Sequence, residues 1–417
     1  MLLAGCLAAC NTDGIKVKDP IKVSSPQPKE QITKVSLTAD EAASVDAGNG
    51  LTFRMLPKLV GSGSCIFSPL SIQYALGMTA NGASGETLAQ IVETLGFGAD
   101  IGKLNSLCNK LLNELPAVDL GVTLKLADAI LVNDLYPLAP AFKQQVESTY
   151  YAAVENMSFD DAAYVAARIN EWASRNTNGL IQKMLDASDV SPAAIAFLMN
   201  ALYFKAPWVL QGRDPLFLKE FTGAQTFHKE GKDAVSVSMM HTTKSFMYAD
   251  LDSFRVLEIP YANGKYAMYI VLPDGDYGFS SLMGDFPGLD WKDILSKMKL
   301  HTVNLALPKF ETSSSYLLND ALKELGMTQA FTDGAQFDRM FASPAVRACI
   351  DMVIQKARIS VTEWGSEADA VTVVGMKETS AFIPDTPVDF ICDHPFAYLI
   401  AENTSGAILF AGAFMGN

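Results

Sequence analysis

Helical and strand patterns are unevenly distributed along the chain, and their order limits the fold class. Apolar residues recur with helical spacing at 69–96 and 162–179, both in the first half. Period-two alternation or short apolar runs predict strands, mostly later in the chain, at 122–132, 194–204, 265–274, 303–310, 351–363 and 407–414. Grouped rather than alternating helices and strands favour an α+β fold over repeated βαβ units.

Residues 41–417 contain no second linker and no internal repeat, so they are predicted to form one large domain. Of the 417 residues, 49% are hydrophobic, which is ample for an extended core. Residues 11–40 are rich in Lys, Pro, Ser, Gln and Thr and are interpreted as a flexible tether. Thr38, followed by acidic residues, is predicted to cap the first helix.

The first ten residues, MLLAGCLAAC, are short and apolar and contain two overlapping stretches that resemble a bacterial lipobox. Cys10 is the predicted lipidation site because polar residues follow it at once, and Cys6 is the alternative. The segment lacks the basic residues that usually come first. No apolar run of spanning length occurs elsewhere, so the protein is expected to be lipid-anchored in a bacterial cell envelope, at the outer membrane, the cell surface or in the periplasm.

The charge and the cysteines argue against nucleic-acid and metal binding. The net charge of −14 disfavours a nucleic-acid partner, because phosphate binding needs clustered Lys and Arg. No close Cys or His pair has metal-ligand spacing, and no cofactor is predicted. Four further cysteines have apolar neighbours and are predicted to be buried free thiols: Cys65, Cys108, Cys349 and Cys392. The chain is expected to be a monomer.

No catalytic signature is present. The sequence lacks a Gly-x-Ser-x-Gly elbow, a His-Glu-x-x-His motif, a phosphate-binding loop and a dinucleotide fingerprint. None of the four histidines lies near an obvious Ser or Cys nucleophile. An enzyme is therefore not predicted, although a triad assembled only in space would leave no such signature.

The segment EWGSEADAVTV, residues 363–373, has a small side chain at every second position. Ser366, Ala368, Ala370 and Thr372 would share one face of a strand, whereas acids occupy the alternate face. The residues that follow, GMKETSAFIPDTP, have the composition of an exposed loop. The pattern is that of a strand with one face of small side chains, followed directly by an exposed loop.

Several motifs, in order, identify residues 40–417 as resembling the serpin family. They are SCIFSPLSIQYALGMTANGASGETLAQI, FLMNALYFKAPW, LALPKF and DHPFAYLIAENTSGAILFAGAF. The resemblance implies three β-sheets, about nine helices and an exposed reactive loop at about 363–388. It also implies an inhibitor of serine-type endopeptidases that acts as a suicide substrate: the cleaved loop inserts into the central sheet while the protease is still attached as an acyl-enzyme.

The resemblance assigns roles to individual residues. The hinge of the loop comprises Glu363, Gly365, Ser366, Glu367, Ala368, Asp369, Ala370, Val371 and Thr372. A shutter beneath the sheet opening comprises Ser68, Ser71, Asn200 and Gln355. Gln355 stands where the family usually has His, and Trp364 and Asp369 are atypical for a hinge.

Counting seventeen residues from Glu363 places the scissile bond at Thr379–Ser380, which suits elastase-like or subtilisin-like proteases. Cleavage at Lys377–Glu378 would instead suit trypsin-like proteases, and Met376 offers a third position. Cysteine proteases are further possible targets. The alternative is that the protein is a non-inhibitory serpin that acts as a binding or chaperone-like module. This alternative is disfavoured because the hinge contains no Pro and has only small side chains on its inward face.

Overall fold

The computed structural model of the protein describes residue 21 and residues 30–61, 63–98, 100–209, 215–231, 233–275, 278–343, 345–366 and 386–416. Within these ranges the chain forms nine α-helices and fifteen strands, which confirms the predicted α+β class and helix number. The helices are α1 Ala39–Leu59, α2 Pro69–Gly82, α3 Gly85–Thr94, α4 Ile101–Val118, α5 Pro140–Thr149, α6 Ala162–Asn176, α7 Gly278–Asp285, α8 Trp291–Lys297 and α9 Asn319–Glu324. The strands are β1 Cys65–Phe67, β2 Thr123–Asn133, β3 Ala153–Met157, β4 Ala196–Pro207, β5 Thr222–His228, β6 Ala234–Asp250, β7 Phe254–Tyr261, β8 Tyr266–Pro273, β9 Lys299–Pro308, β10 Phe310–Leu317, β11 Ile354–Thr362, β12 Gly365–Ser366, β13 Val388–Ile391, β14 Phe396–Glu402 and β15 Ile408–Phe414.

The strands form two hydrogen-bonded networks. A six-stranded sheet has the order β10-β11-β12-β4-β2-β3, and a nine-stranded sheet has the order β1-β15-β14-β8-β7-β6-β9-β13, with β5 paired to β6. The long strand β6 pairs with β9 over Met239–Tyr248 and with β7 over Met247–Asp250. This continuity joins two of the three expected sheets into one network.

The two faces of the six-stranded sheet pack against different apolar clusters. On β4, Leu202 and Phe204 belong to the main core, which also takes in α2 and α4. The alternate residues Met199 and Ala201 belong to a smaller cluster with α6. Because the side chains of a strand alternate, every residue of β4 can be assigned to one face or the other.

The amino-terminal helix begins as predicted. The hydroxyl of Thr38 accepts from the backbone N–H of Glu41, and the Glu41 carboxylate accepts from that of Thr38, which forms a capping box. Before this helix, Val35 is buried and its N–H donates to the Thr404 hydroxyl at 2.9 Å. The N–H of Ile32 donates to the carbonyl of Ala117 at 3.0 Å. Residues 32–38, in the last part of the segment interpreted as a tether, therefore pack against the domain.

Cys65, Cys108 and Cys392 are buried free thiols, as predicted. For Cys349 the prediction is wrong, because this residue lies exposed in an irregular segment before β11. None of the described helices is long and apolar enough to cross a bilayer.

Candidate functional site

The two residues of β12 separate β4 from β11 in the six-stranded sheet. Gly365 pairs with Pro207 of β4 and Thr362 of β11, and Ser366 pairs with Ala206 and Val361. Beyond Ser366, β4 and β11 run on side by side, and no described strand pairs with either across the space between them. We call this space, from Ala196–Lys205 of β4 to Ile354–Ser360 of β11, the slot.

A cavity of about 420 Å³ lies at the slot. Side chains of α2, the first half of β4, the start of β11 and the segment 347–353 surround it, and most of them are apolar. The backbone edges of β4 and β11 that face the slot are unpaired among the described residues. Unpaired strand edges beside an apolar cavity form a site for an added strand.

Gln355 joins β11 to the start of α2. Its side-chain oxygen accepts from the N–H of Ser68 at 3.0 Å, and its side-chain nitrogen donates to the Ser68 carbonyl at 2.8 Å. The Ser68 hydroxyl accepts from the N–H of Ser71 at 3.1 Å and donates to the carbonyl of Leu409 at 2.7 Å. Three of the four predicted shutter residues therefore form one hydrogen-bonded group on the β11 side.

Asn200, the fourth predicted shutter residue, bonds elsewhere. Its amide nitrogen donates to the Asp128 carboxyl oxygen Oδ1 at 2.9 Å, on β2. Burial raises the pKa of Asp128 to about 7, although the hydrogen bond from Asn200 opposes this shift. Asp128 Oδ2 and Asn200 Oδ1 are both buried and have no hydrogen-bond partner among the described residues.

The sequence reasoning did not identify Asp128 as part of this site. The signal was present, because Asp128 is the one charged residue within the apolar run LADAILV, residues 126–132. A buried acid in such a run requires a partner, and β2 places it directly opposite Asn200 on β4.

Aromatic residues pack around the end of the slot that β12 occupies, which we call the upper end. The hydroxyls of Ser366 and Tyr261 are 2.5 Å apart, and the ring of Tyr261 stacks on Trp208 with 4.5 Å between centroids. The backbone N–H of Trp208 donates to the Trp364 carbonyl at 3.0 Å, and its indole N–H donates to the Thr362 carbonyl at 2.8 Å. These five hydrogen-bonded or stacked residues thus fix the point at which the loop leaves β11.

Glu363 is buried at the same end, with only 5% of its surface exposed. Its carboxylate accepts from Lys309 at 3.1 Å. Burial raises the pKa of Glu363, but hydrogen bonds from its own backbone N–H and from Lys309 outweigh this effect and leave the pKa below its usual range. The residue is therefore an ionised anchor between β11 and β12.

The backbone of Gly365 has φ +143°, and a Cβ added here would lie 2.1 Å from the carbonyl oxygen of Ala206. Only glycine therefore fits the first residue of β12 without movement of β4. This is the turn through which the chain reverses from β11 into the slot.

The remaining predicted site residues lie outside the described residues. They are the hinge residues Glu367, Ala368, Asp369, Ala370, Val371 and Thr372, the bond residues Lys377, Glu378, Thr379 and Ser380, and the cysteines Cys6 and Cys10. Within the described ranges, no group of three or more His, Cys, Asp or Glu side chains could hold a metal ion.

Residues 46–416 match the family model for serpins, described as serine protease inhibitors. The chain is similar to Serpin-Z2A of Triticum aestivum, with 33% identity over 359 residues that cover 83% of this chain and 88% of that one. It is also similar to the leukocyte elastase inhibitor of Homo sapiens, with 32% identity over 368 residues, 85% of this chain and 93% of that one. Among solved structures, the thermophilic serpin tengpin in its native state matches with a TM-score of 0.81 and 27% identity, over 94% of this chain and 98% of that chain.

Proposed function

The chain belongs to the serpin family, and we propose that it inhibits serine-type endopeptidases as a suicide substrate. A protease cleaves the loop that follows Ser366, and the amino-terminal part of the cleaved loop enters the slot as a new strand. The observation that carries this proposal is β12, in which the first two residues of that strand already pair with both borders of the slot.

The pairing of β12 sets a register that can be continued. Each further residue of the inserted strand moves one residue back along β4 and along β11, because β12 is antiparallel to both. Thr372, six residues after Ser366, would therefore lie between Asn200 and Gln355. The Thr372 hydroxyl would then be able to donate to the side-chain oxygen Oδ1 of Asn200, which has no hydrogen-bond partner among the described residues.

The alternation of side chains supports the same strand. Ser366 is buried on the face of the sheet that packs on the main core. In an inserted strand, residues 368, 370 and 372 would follow on that face, and residue 368 would lie between Phe204 and Ile359. Large neighbours on both sides leave room for small side chains only, which agrees with Ala368, Ala370 and Thr372.

Insertion would release free energy, because both unpaired edges and the loop backbone gain hydrogen bonds in a sheet interior. The cleaved strand from Ser366 to Thr379 would extend over about 45 Å at roughly 3.3 Å per residue. A protease that is still bound to Thr379 would be carried over that distance and its catalytic groups displaced. This chain would provide the conformational change, whereas the protease would perform the bond cleavage.

The covalent step uses the reaction that the protease already performs. The protease serine oxygen bonds to the Thr379 carbonyl carbon, the Thr379–Ser380 peptide bond breaks, and Ser380 leaves with a protonated amino group. The ester between Thr379 and the protease remains if insertion precedes hydrolysis. Thr379 suits elastase-like or subtilisin-like targets, whereas cleavage at Lys377 would suit trypsin-like ones; a cysteine protease would leave a thioester.

We further propose that lipidation of Cys10, or alternatively Cys6, anchors the protein in a bacterial cell envelope. The support is the composition of residues 1–40 alone. Mass spectrometry of the native protein should find a diacylglyceryl cysteine, and the protein should partition into detergent. An unacylated mature terminus would overturn the anchoring and leave the inhibitory proposal intact.

Inhibition is tested by mixing the protein with elastase-like, subtilisin-like and trypsin-like proteases and separating the products under denaturing conditions. A covalent band should form with at least one protease, together with a released peptide that begins at Ser380. A peptide that begins at Glu378 would move the bond to Lys377. If the proteases cleave the loop and none of them forms a covalent band, the proposal is refuted.

Two matched variants locate the mechanism in the slot. Ser366→Arg places a large charged side chain on the buried face of β12, so it should turn the inhibitor into a substrate that is cleaved without a covalent band. Trp364→Arg is the control, because Trp364 lies two residues earlier and is 42% exposed. It should still form the complex.

A further inference from the structure

Basic residues border the slot on the outer face of the six-stranded sheet, the face opposite the main core. On β11 the outer residues include Lys356 and Arg358, because Gln355, Ala357 and Ile359 are buried on the inner face. On β4 the outer face includes Lys205, and on β2 it includes Lys125. Across β2, β4, β10 and β11, Glu311 is the one acid at an outer position in the described strands.

The basic residues differ in their present partners. The Arg358 guanidinium donates to Glu311 at 2.6 Å, and Lys356 donates to the Lys183 carbonyl at 2.9 Å. The Nε of Arg358 is buried and has no hydrogen-bond partner among the described residues. Glu311 belongs to β10, on the side of β11 that faces away from the slot. Among the described outer residues of β4 and β11 that border the slot, the charged side chains Lys205, Lys356 and Arg358 are all basic.

The register of β12 places the two hinge acids beside these cations. Residue 367 would lie between Lys205 and Ser360, and residue 369 between Tyr203 and Arg358, with Lys205 and Lys356 at the diagonal positions. In an inserted strand, residues 367 and 369 would share the outer face, since Ser366 is on the inner face. On insertion, both hinge acids would thus meet the basic side chains of the outer face.

We propose that Lys205, Lys356 and Arg358 form an acid-recognising face of the slot that positions the inserting strand through Glu367 and Asp369. The ligand of this face is an extended peptide with small residues on one side and carboxylates at alternate positions on the other. The inference rests on the proposed function, because it describes how the same slot selects and aligns its strand. A shift by one residue would turn both acids into the apolar core, so the charges oppose that error.

Peptide annealing tests this recognition separately from protease trapping. The uncleaved protein is incubated with an acetylated peptide of residues 367–373, EADAVTV, or with the charge-swapped peptide KAKAVTV, because the protein's own Ser366 already lies between Ala206 and Val361. Entry into the slot is followed by native electrophoresis and by tryptophan fluorescence, since Trp208 and Trp364 lie at the upper end. The acidic peptide should enter about tenfold faster at low salt, and the preference should shrink at 0.5 M salt because ions screen half-exposed pairs.

Charge reversal on the protein should invert the preference. Arg358→Glu and, separately, Lys205→Glu should slow the acidic peptide and speed the swapped one. Lys125→Glu is the matched control, because Lys125 lies on the same face but one strand away from the slot; it should change either rate less than twofold.

Equal rates for both peptides, in all proteins and at both salt concentrations, would overturn the charge recognition while leaving strand insertion intact. Failure of both peptides to enter the wild-type protein would overturn the recognition and also count against the inhibitory mechanism. Covalent complex formation by wild type, measured in parallel, distinguishes these two failures.

Discussion

Replacement of Asp128 by asparagine should remove a titration that destabilises the protein as the pH rises. The carboxyl is buried at the β2–β4 boundary, with one hydrogen bond from Asn200 and an unpartnered second oxygen among the described residues. Its pKa is raised from 3.8 to about 7 by burial. The folded state therefore holds this proton over a pH range in which the unfolded chain releases it.

The sign and the size follow from these two pKa values. Below pH 3.8 both states are protonated and the full stability is present. As the pH rises from 3.8 to about 7, the folded state is penalised by about 1.4 kcal/mol per pH unit, and above 7 the loss is complete. Between pH 5 and pH 8, Asp128 should therefore cost about 2 to 3 kcal/mol.

Asparagine has nearly the same shape and no ionisation. Its amide group could also donate to Asn200 Oδ1, the buried acceptor that lacks a partner among the described residues. Asp128→Asn should thus gain about 2 to 3 kcal/mol relative to wild type as the pH goes from 5 to 8. The difference between the two proteins isolates this residue from the other titrating groups.

The assay is urea unfolding at pH 5, 6, 7 and 8 at constant ionic strength, followed by circular dichroism. Asp333→Asn, which changes an exposed carboxylate in a loop, is the control and should track wild type at every pH. A constant difference between Asp128→Asn and wild type over this range would show that Asp128 does not titrate as argued. A difference that falls with pH would contradict the sign.

Three other predictions concern the borders of the slot. Glu363→Gln removes the buried carboxylate that is bonded to Lys309. Because the Lys309 side chain is 43% exposed, the free energy of unfolding measured in urea should fall by only about 1 to 2 kcal/mol, and an unchanged midpoint would contradict the anchoring role. Gly365→Ala places a Cβ against Ala206 at positive φ and should cost at least about 1 to 3 kcal/mol, with normal stability showing that the turn tolerates a side chain. Gln355→Leu leaves the N–H of Ser68 without a partner, whereas the Ser68 carbonyl still accepts from Ile72. It should cost about 1 to 3 kcal/mol and speed entry of the 367–373 peptide, and slower entry would contradict this reasoning.

The parts of the fold that follow from local chemistry could be predicted from sequence. The Thr38 cap, the long strands and the small-residue face of the hinge depend on spacing within one segment, and the cap and strands are confirmed. The resemblance implied an exposed loop from about residue 363 that enters the sheet only after cleavage, whereas Gly365 and Ser366 already pair with β4 and β11.

Contacts across the sheet could not be read in this way. Asn200 bonds to Asp128, not to Gln355, because the open slot separates β4 from β11 while β2 lies directly alongside β4. Cys349 is exposed because the segment before β11 is irregular, which its apolar neighbours in sequence do not reveal. Both cases depend on which strands become neighbours, a property of the whole topology.

The two residues of β12 also bear on how insertion competes with self-association. Strand addition is slowest at its first pairing, and here that pairing already exists within the same molecule. Because residue 367 is covalently joined to Ser366, the effective concentration of this chain's own loop at the slot is far above that of any free chain in solution. A loop from a second molecule would have to start its own pairing next to an occupied entrance. Self-insertion should therefore outrun polymerisation through the slot, as long as Gly365 and Ser366 keep their place.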